Sequence, residues 1–114
     1  ILEIQRFNEK IYADKIIIEY IADIVNATRN PKDYDLDLET MIEFGASPRA
    51  SIWLMRTAKA NALLNGRGFI IPEDVKAVVH EVLRHRIILT FEAEANGITT
   101  DKIIDFVLEK ISTP

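Results

Sequence analysis

Apolar positions recur at helical spacing along most of this chain. Ile17, Tyr20, Ile21, Ile24, Val25 and Thr28 follow an i, i+3, i+4, i+7 rhythm, with Glu19, Asp23 and Asn26 on the other side. That stripe predicts an amphipathic helix starting at Ala13-Asp14 and ending by Asn30-Pro31, since the residue before a proline avoids helical dihedrals. Ile4, Phe7 and Ile11 share the spacing, so residues 1–10 read as the end of a helix begun upstream. A further helix is expected from Pro48 to about Asn65. Ile52, Trp53, Leu54, Met55, Ala58, Ala60, Ala62, Leu63 and Leu64 surround it almost completely, which predicts a buried central helix with Trp53 in the core. Gly66 suits its stop.

Phe69-Ile70-Ile71 reads as extended, and Pro72-Glu73-Asp74 opens the next helix. Val75, Val78, Val79, Val82 and Leu83 line its inner face, and Glu73, Asp74 and Glu81 its outer one. Ile87 to Leu89 forms a short extended link, and a brief helix over Phe91 to Asn96 stops at Gly97. Thr99 or Thr100 caps the last helix, whose stripe is Ile103, Ile104, Val107, Leu108 and Ile111. Residues 30–46 form a long acidic connection carrying Asp33, Asp35, Asp37, Glu39 and Glu43, with a short helical turn expected around Leu38 to Phe44. The predicted fold is all-α, a small bundle of about five helices with at most a trace of strand.

Length and charge narrow the partners. The 114 residues suit one domain, residues 1–114, and 48% hydrophobic content argues against disorder. A net charge of −4 disfavours nucleic acid, and no apolar run nears the ~20 residues that span a bilayer. The lack of cysteine removes thiolate ligands and thiol nucleophiles. The chain begins with Ile1 in a helical pattern, so it is read as a piece of a longer protein.

Candidate chemistry centres on Gly45-Ala46-Ser47-Pro48-Arg49. Ser47 is a natural N-cap, Pro48 suits the first helical position, and Gly45 permits a sharp turn before them. Arg49 then lies near the positive end of the helix dipole, where a cation is unfavourable by roughly 0.3–1 kcal/mol. Two readings stand. One is a capped surface helix with an early arginine. The other is an anion site in which the guanidinium and free N–H groups of the helix start hold a phosphate together.

The ordered set of Ala27-Thr28-Arg29, Gly45-Ala46-Ser47-Pro48-Arg49-Ala50-Ser51, Asn65-Gly66-Arg67, Pro72-Glu73-Asp74-Val75 and Val82-Leu83-Arg84-His85-Arg86 resembles the C-terminal lid of MoxR-type AAA+ ATPases over nearly the whole chain. The resemblance implies that Arg49 is the sensor-2 residue, reaching the γ-phosphate of ATP from a helix start built by Ser47 and Pro48. It implies a P-loop core upstream, ATP with Mg2+ held by that core, and neighbouring subunits of a ring, typically a hexamer. Chaperone-like maturation of other proteins, partners with von Willebrand factor A domains and a cytoplasmic setting belong to the same implication. Ile71 departs from the family pattern, standing where Ser or Thr would cap a helix, at a cost of roughly 1 kcal/mol. Gly68 also departs, at a position usually acidic or polar.

Other chemistries fit less well. His80 and His85 are five apart, about 140° around a helix, so they cannot share a metal on one face, and no metal site is expected. Asp33, Asp35 and Asp37 start like a calcium loop, but Leu38 and Phe44 occupy its glycine and closing-glutamate positions. A solvated acidic loop, or a docking surface for a basic partner, suits them better. Arg84-His85-Arg86 reads as a cationic helix end pairing with nearby acids, or as a contact to a core or neighbour. Arg56 lies on the Arg49 side and reads as a salt-bridge partner, or as a residue near that core. No Gly-x-x-x-x-Gly-Lys-[Ser/Thr] is present, so this piece should not hydrolyse ATP alone. The rival reading is a helical protein-interaction module with no nucleotide role, in which Arg49 is replaceable.

Overall fold

A computed structural model describes residues 11–114. The helix inferred for residues 1–10 lies outside them. The first described helix, α1 (Lys15–Arg29), starts where Asp14 accepts from the Ile16 backbone N–H at 3.1 Å. It ends at Asn30, ahead of a 3-10 turn over Pro31–Tyr34. Its predicted stripe is its buried face: Ile17, Tyr20, Ile21, Ile24, Val25 and Thr28 are all inside.

The connection after α1 differs from expectation. The expected helical turn is a single one, with the Met41 and Ile42 N–H groups both donating to Leu38 O at 3.0 Å, and it gives way at once to a strand, β1 (Ile42–Phe44). β1 pairs antiparallel with β2 (Ile88–Leu89), Ile42 opposite Leu89, with an irregularity before Phe44 and Ile88. The β-branched and aromatic residues Ile42 and Phe44 favour the extended state once a partner strand exists, and their partners Leu89 and Ile88 are 47 and 44 residues away in sequence, beyond the reach of local periodicity. Leu36 and Leu38 are buried, so the acidic segment is pinned through alternate apolar residues while Asp33, Asp35, Asp37 and Glu39 face solvent. Asp35 adopts a left-handed backbone, φ 55°, which aspartate tolerates better than most residues.

Two helices, α2 (Arg49–Leu64) and α3 (Pro72–Leu83), form the main packed pair. α1 packs on α2 and on α5 (Thr100–Lys110), and α3 also meets α5. α2 closes with Gly66 at φ 75°, where Arg67 N–H donates to Ala62 O at 2.9 Å and Gly66 N–H to Leu63 O at 3.0 Å. This is the paired bonding of a Schellman stop. Thr90 caps the short α4 (Phe91–Ala95) and Thr99 caps α5, each hydroxyl accepting a first-turn N–H. The predicted stripe of α5 holds, with Ile103, Ile104, Val107 and Ile111 buried.

α2 does not sit at the centre of the domain. Its buried residues are Ala50, Leu54, Ala58 and Ala62, a single stripe at four-residue spacing. Small side chains in that stripe bring α3 close, which leaves the opposite face outside. Ile52, Trp53 and Leu64 are exposed there, so the expectation of a core Trp53 is overturned.

Asp74 is also misplaced by sequence reasoning. It is fully buried, not on the outer face of α3. Its carboxylate accepts from the Ile71 backbone N–H at 2.9 Å, from Asn61 Nδ2 at 2.9 Å and from Arg67 Nη2. The missing Ser or Thr at Ile71 is therefore offset from the other end of the turn, because Asp74 takes up the cap residue's own N–H. Asn65-Gly66-Arg67 gains its meaning here as well: the glycine stops α2 and turns Arg67 back towards Asp74.

Candidate functional site

The approach to α2 is built against the end of α1. Thr28 is buried, and its hydroxyl donates to Val25 O at 2.7 Å while accepting from Ala46 N–H at 3.0 Å. That single oxygen ties the segment before Arg49 to α1. Gly45 lies so close to the same helix end that a Cβ there would fall 2.2 Å from Thr28 O and 2.6 Å from Arg29 N. The glycine is required for approach, since backbone atoms cannot yield as a flexible side chain can. Ala46 is also fully buried. The Ala27-Thr28-Arg29 and Gly45-to-Arg49 motifs thus form one joint, which fixes where α2 begins.

We expect Gly45→Ala to cost about 1–3 kcal/mol by overpacking. Thr28→Val should cost a similar amount, because it strands the Ala46 N–H, and an unsatisfied buried donor costs about 1–3 kcal/mol. Urea denaturation of each variant checks both, and unchanged midpoints would show that this joint does not hold α2.

At the helix start the predicted cap is absent. Pro48 has helical dihedrals, φ −56° and ψ −27°, but no side chain caps α2, so the Ser47 hydroxyl does not play the expected part. Helical dihedrals at Pro48 tighten the turn, and the Ser47 carbonyl accepts from Ala50 N–H at 2.9 Å instead. Pro48 O accepts from Ser51 N–H at 3.1 Å. Among the described residues, no acceptor takes the Arg49 backbone N–H, and no acidic residue stands in the first turn. The Arg49 side chain is exposed and has no ion pair or hydrogen bond among the described residues. One residue therefore presents a guanidinium and an unused N–H at the positive end of a helix of 16 residues.

Beyond Arg49 the exposed side of α2 continues with Ile52, Trp53 and Arg56. The Arg56 guanidinium lies 5.5 Å from the Trp53 ring centre, and that of Arg86 lies 5.9 Å from it. Arg56 thus contacts the aromatic ring, a role its spacing did not reveal. Arg86 links the end of α3 to this face, and its Nε also donates to Val82 O at 3.1 Å, satisfying a helix-terminal carbonyl.

Arg84, in the same motif, pairs with α5. Arg84 Nε donates to Asp101 Oδ1 at 2.9 Å, which holds the Asp101 carboxyl below the usual carboxylate range and raises the guanidinium. His80 Nε2 lies 2.7 Å from Asp105 Oδ1, and His85 is exposed. Asp101 and Asp105 both belong to α5, so these contacts clamp α3 to α5. Among the described residues no group of three His, Cys, Asp or Glu is placed to hold a metal ion. No helix among them is long and apolar enough to cross a membrane.

Comparison with known proteins gives the family of the chain. The family model described as the AAA lid domain matches residues 35–106. Chaperone MoxR1 of Mycobacterium tuberculosis is 36% identical over 115 residues, covering 100% of this chain and 30% of that protein. Protein MoxR of Paracoccus denitrificans is 39% identical over 84 residues, covering 69% of this chain and 25% of its own length. A crystal structure of a Cytophaga hutchinsonii protein assigned as an ATPase superposes with a TM-score of 0.94 at 45% identity, over 99% of this chain and 34% of that one. The chain spans about a third or less of the length of each of these proteins.

Proposed function

The chain belongs to the AAA lid domain family, and on that footing we propose that it is the sensor-2 lid of a MoxR-type AAA+ ATPase. The observation that carries this reading is Arg49, exposed and unpartnered among the described residues, at an uncapped helix start whose own N–H has no acceptor. A cation placed there weakens an isolated helix. An incoming γ-phosphate reverses the sign, because it is met by a charge-assisted bond from the guanidinium and by the helix N-terminus together. Those donors fit a phosphate oxygen in charge and hydrogen-bonding sense.

In this reading the lid closes over ATP bound to a P-loop core in the remainder of the longer chain. Mg2+ held by that core supplies charge neutralisation between the phosphates. This chain contributes Arg49 as the γ-phosphate contact, with Thr28 and Gly45 as the joint that aims it. Ser47 contributes its backbone carbonyl and Pro48 its fixed turn. The exposed Ile52, Trp53 and Arg56 give the closing face apolar area to bury. Loss of the γ-phosphate removes a contact made in the closed form alone, and that difference in affinity can drive lid rotation.

The longer protein would assemble with neighbouring subunits into a ring, typically a hexamer. It would couple hydrolysis to chaperone-like remodelling of partner proteins, with von Willebrand factor A domain proteins among them, in the cytoplasm. The name of the mycobacterial relative, Chaperone MoxR1, supports that direction.

Nucleotide discrimination tests the reading. In the full-length protein the ratio of affinities for a non-hydrolysable ATP analogue and for ADP should fall about tenfold or more in Arg49→Ala. A hydrogen bond to a charged group is worth about 1.5–3 kcal/mol, and ADP never makes this one. An unchanged ratio would remove Arg49 from the nucleotide site.

A further inference from the structure

On another part of the surface, the acidic connection and α5 border an open groove of about 470 Å³. Leu36, Leu38 and Phe106 are among its apolar lining, and Asp35, Asp37 and Glu109 are its carboxylates. Phe106 remains 41% exposed although Ile103, Ile104 and Val107 of the same helix are buried. Among the described residues the side chains of the three carboxylates make no ion pair or hydrogen bond, and Lys110 is the one cation in the lining. Lys32, in the loop itself, is engaged by Glu39 at 3.5 Å.

The loop side of the groove is tied down at two points. Tyr34 Oη donates to Asp23 Oδ1 at 3.0 Å, tying the loop to α1. Thr90 Oγ1 donates to Thr40 O at 2.7 Å, tying its far end to the start of α4. The volume lies within the range of pre-formed binding clefts, and apolar lining with a few placed polar groups is their usual character.

We propose that this groove docks a segment of a partner protein in which two or three apolar side chains are flanked by Lys or Arg. Charge complementarity selects the occupant: unpaired carboxylates attract a basic segment and repel acidic peptides and nucleic-acid backbones. The apolar lining supplies what charge alone does not, since contacts between exposed charges fade beyond about 8 Å at physiological ionic strength. None of these residues belongs to the Arg49 face, so this docking role stands or falls separately from the nucleotide reading.

The test is selection of peptides of about twelve residues from a random display library on the full-length protein, followed by titration. Selected peptides are titrated against wild type, Phe106→Ser and the double variant Asp37→Lys/Glu109→Lys, with circular dichroism verifying the fold. The expected peptides combine Leu, Ile, Phe or Met with Lys or Arg. Their Kd should rise about tenfold or more in each variant, a change of ~1.4 kcal/mol, and should fall as salt is lowered. Failure to select such peptides, or equal binding to all three proteins, overturns the proposal. Sedimentation is run in parallel: self-association of the wild type that both variants abolish would assign the groove to a second copy of this chain, and so would also overturn it.

Discussion

Asp74→Ala is expected to lower folding stability by about 3–5 kcal/mol, the cost of breaking a buried charge pair by removing one partner. Asp74 is fully buried, whereas the Arg67 side chain is 27% exposed. Alanine would leave Arg67 Nη2, Asn61 Nδ2 and the Ile71 N–H without their common acceptor. Arg67 has little to fall back on, because its Nε is already buried without a partner among the described residues. Asn61 belongs to α2, Arg67 to the link, and Ile71 and Asp74 to the start of α3, so the carboxylate joins the domain's main helix pair at its turn. Domains have about 5–15 kcal/mol of stability in all, so one substitution would remove a large share. Urea denaturation followed by circular dichroism measures it, with Asp74→Asn as the companion variant. Asparagine keeps one oxygen to accept with and should lose less. A fall below about 1 kcal/mol for alanine would show that the three donors find other acceptors.

The helices were legible because their cues are local. Asp14, Thr99, Gly66 and Gly97 sit where the starts and stops were read, and the stripes of α1 and α5 are the buried faces. What was missed depends on partners distant in sequence. β1 needs β2, and the acidic loop needs Leu36 and Leu38 inside, so local periodicity shows the single helical turn at Leu38 but not the strand that follows it. Trp53 looked like core because its helix is rich in apolar residues, yet three of the four buried positions of α2 are alanines, and Ile52, Trp53 and Leu64 face out. Asp74 looked like a first-turn surface acid because nothing in Pro72-Glu73-Asp74 announces that Asn61 and Arg67 converge on it.

At the site, the pentapeptide marks the start of α2 to within a residue, but not through the predicted cap. The Ser47 hydroxyl does not cap; Thr28 and the close approach at Gly45 set the position instead. Thr28 was visible as part of a motif before the helix. Its bond to Ala46 was not, because it spans 18 residues of chain.

The second large effect concerns turnover, and it bears on the central proposal that Arg49 reads the γ-phosphate. The full-length protein is compared with Arg49→Ala and with Arg56→Ala, which alters the same face two turns away while leaving the helix start intact. Steady-state ATP turnover should fall tenfold or more in Arg49→Ala, at least ~1.4 kcal/mol of transition-state stabilisation, with unchanged circular dichroism. Arg56→Ala should lose much less, because it contacts Trp53. Arg49→Lys should recover part of the rate, since an ammonium keeps the charge but not the two-pronged geometry. Turnover of Arg49→Ala equal to wild type would contradict the account and leave Arg49 as an ordinary surface residue.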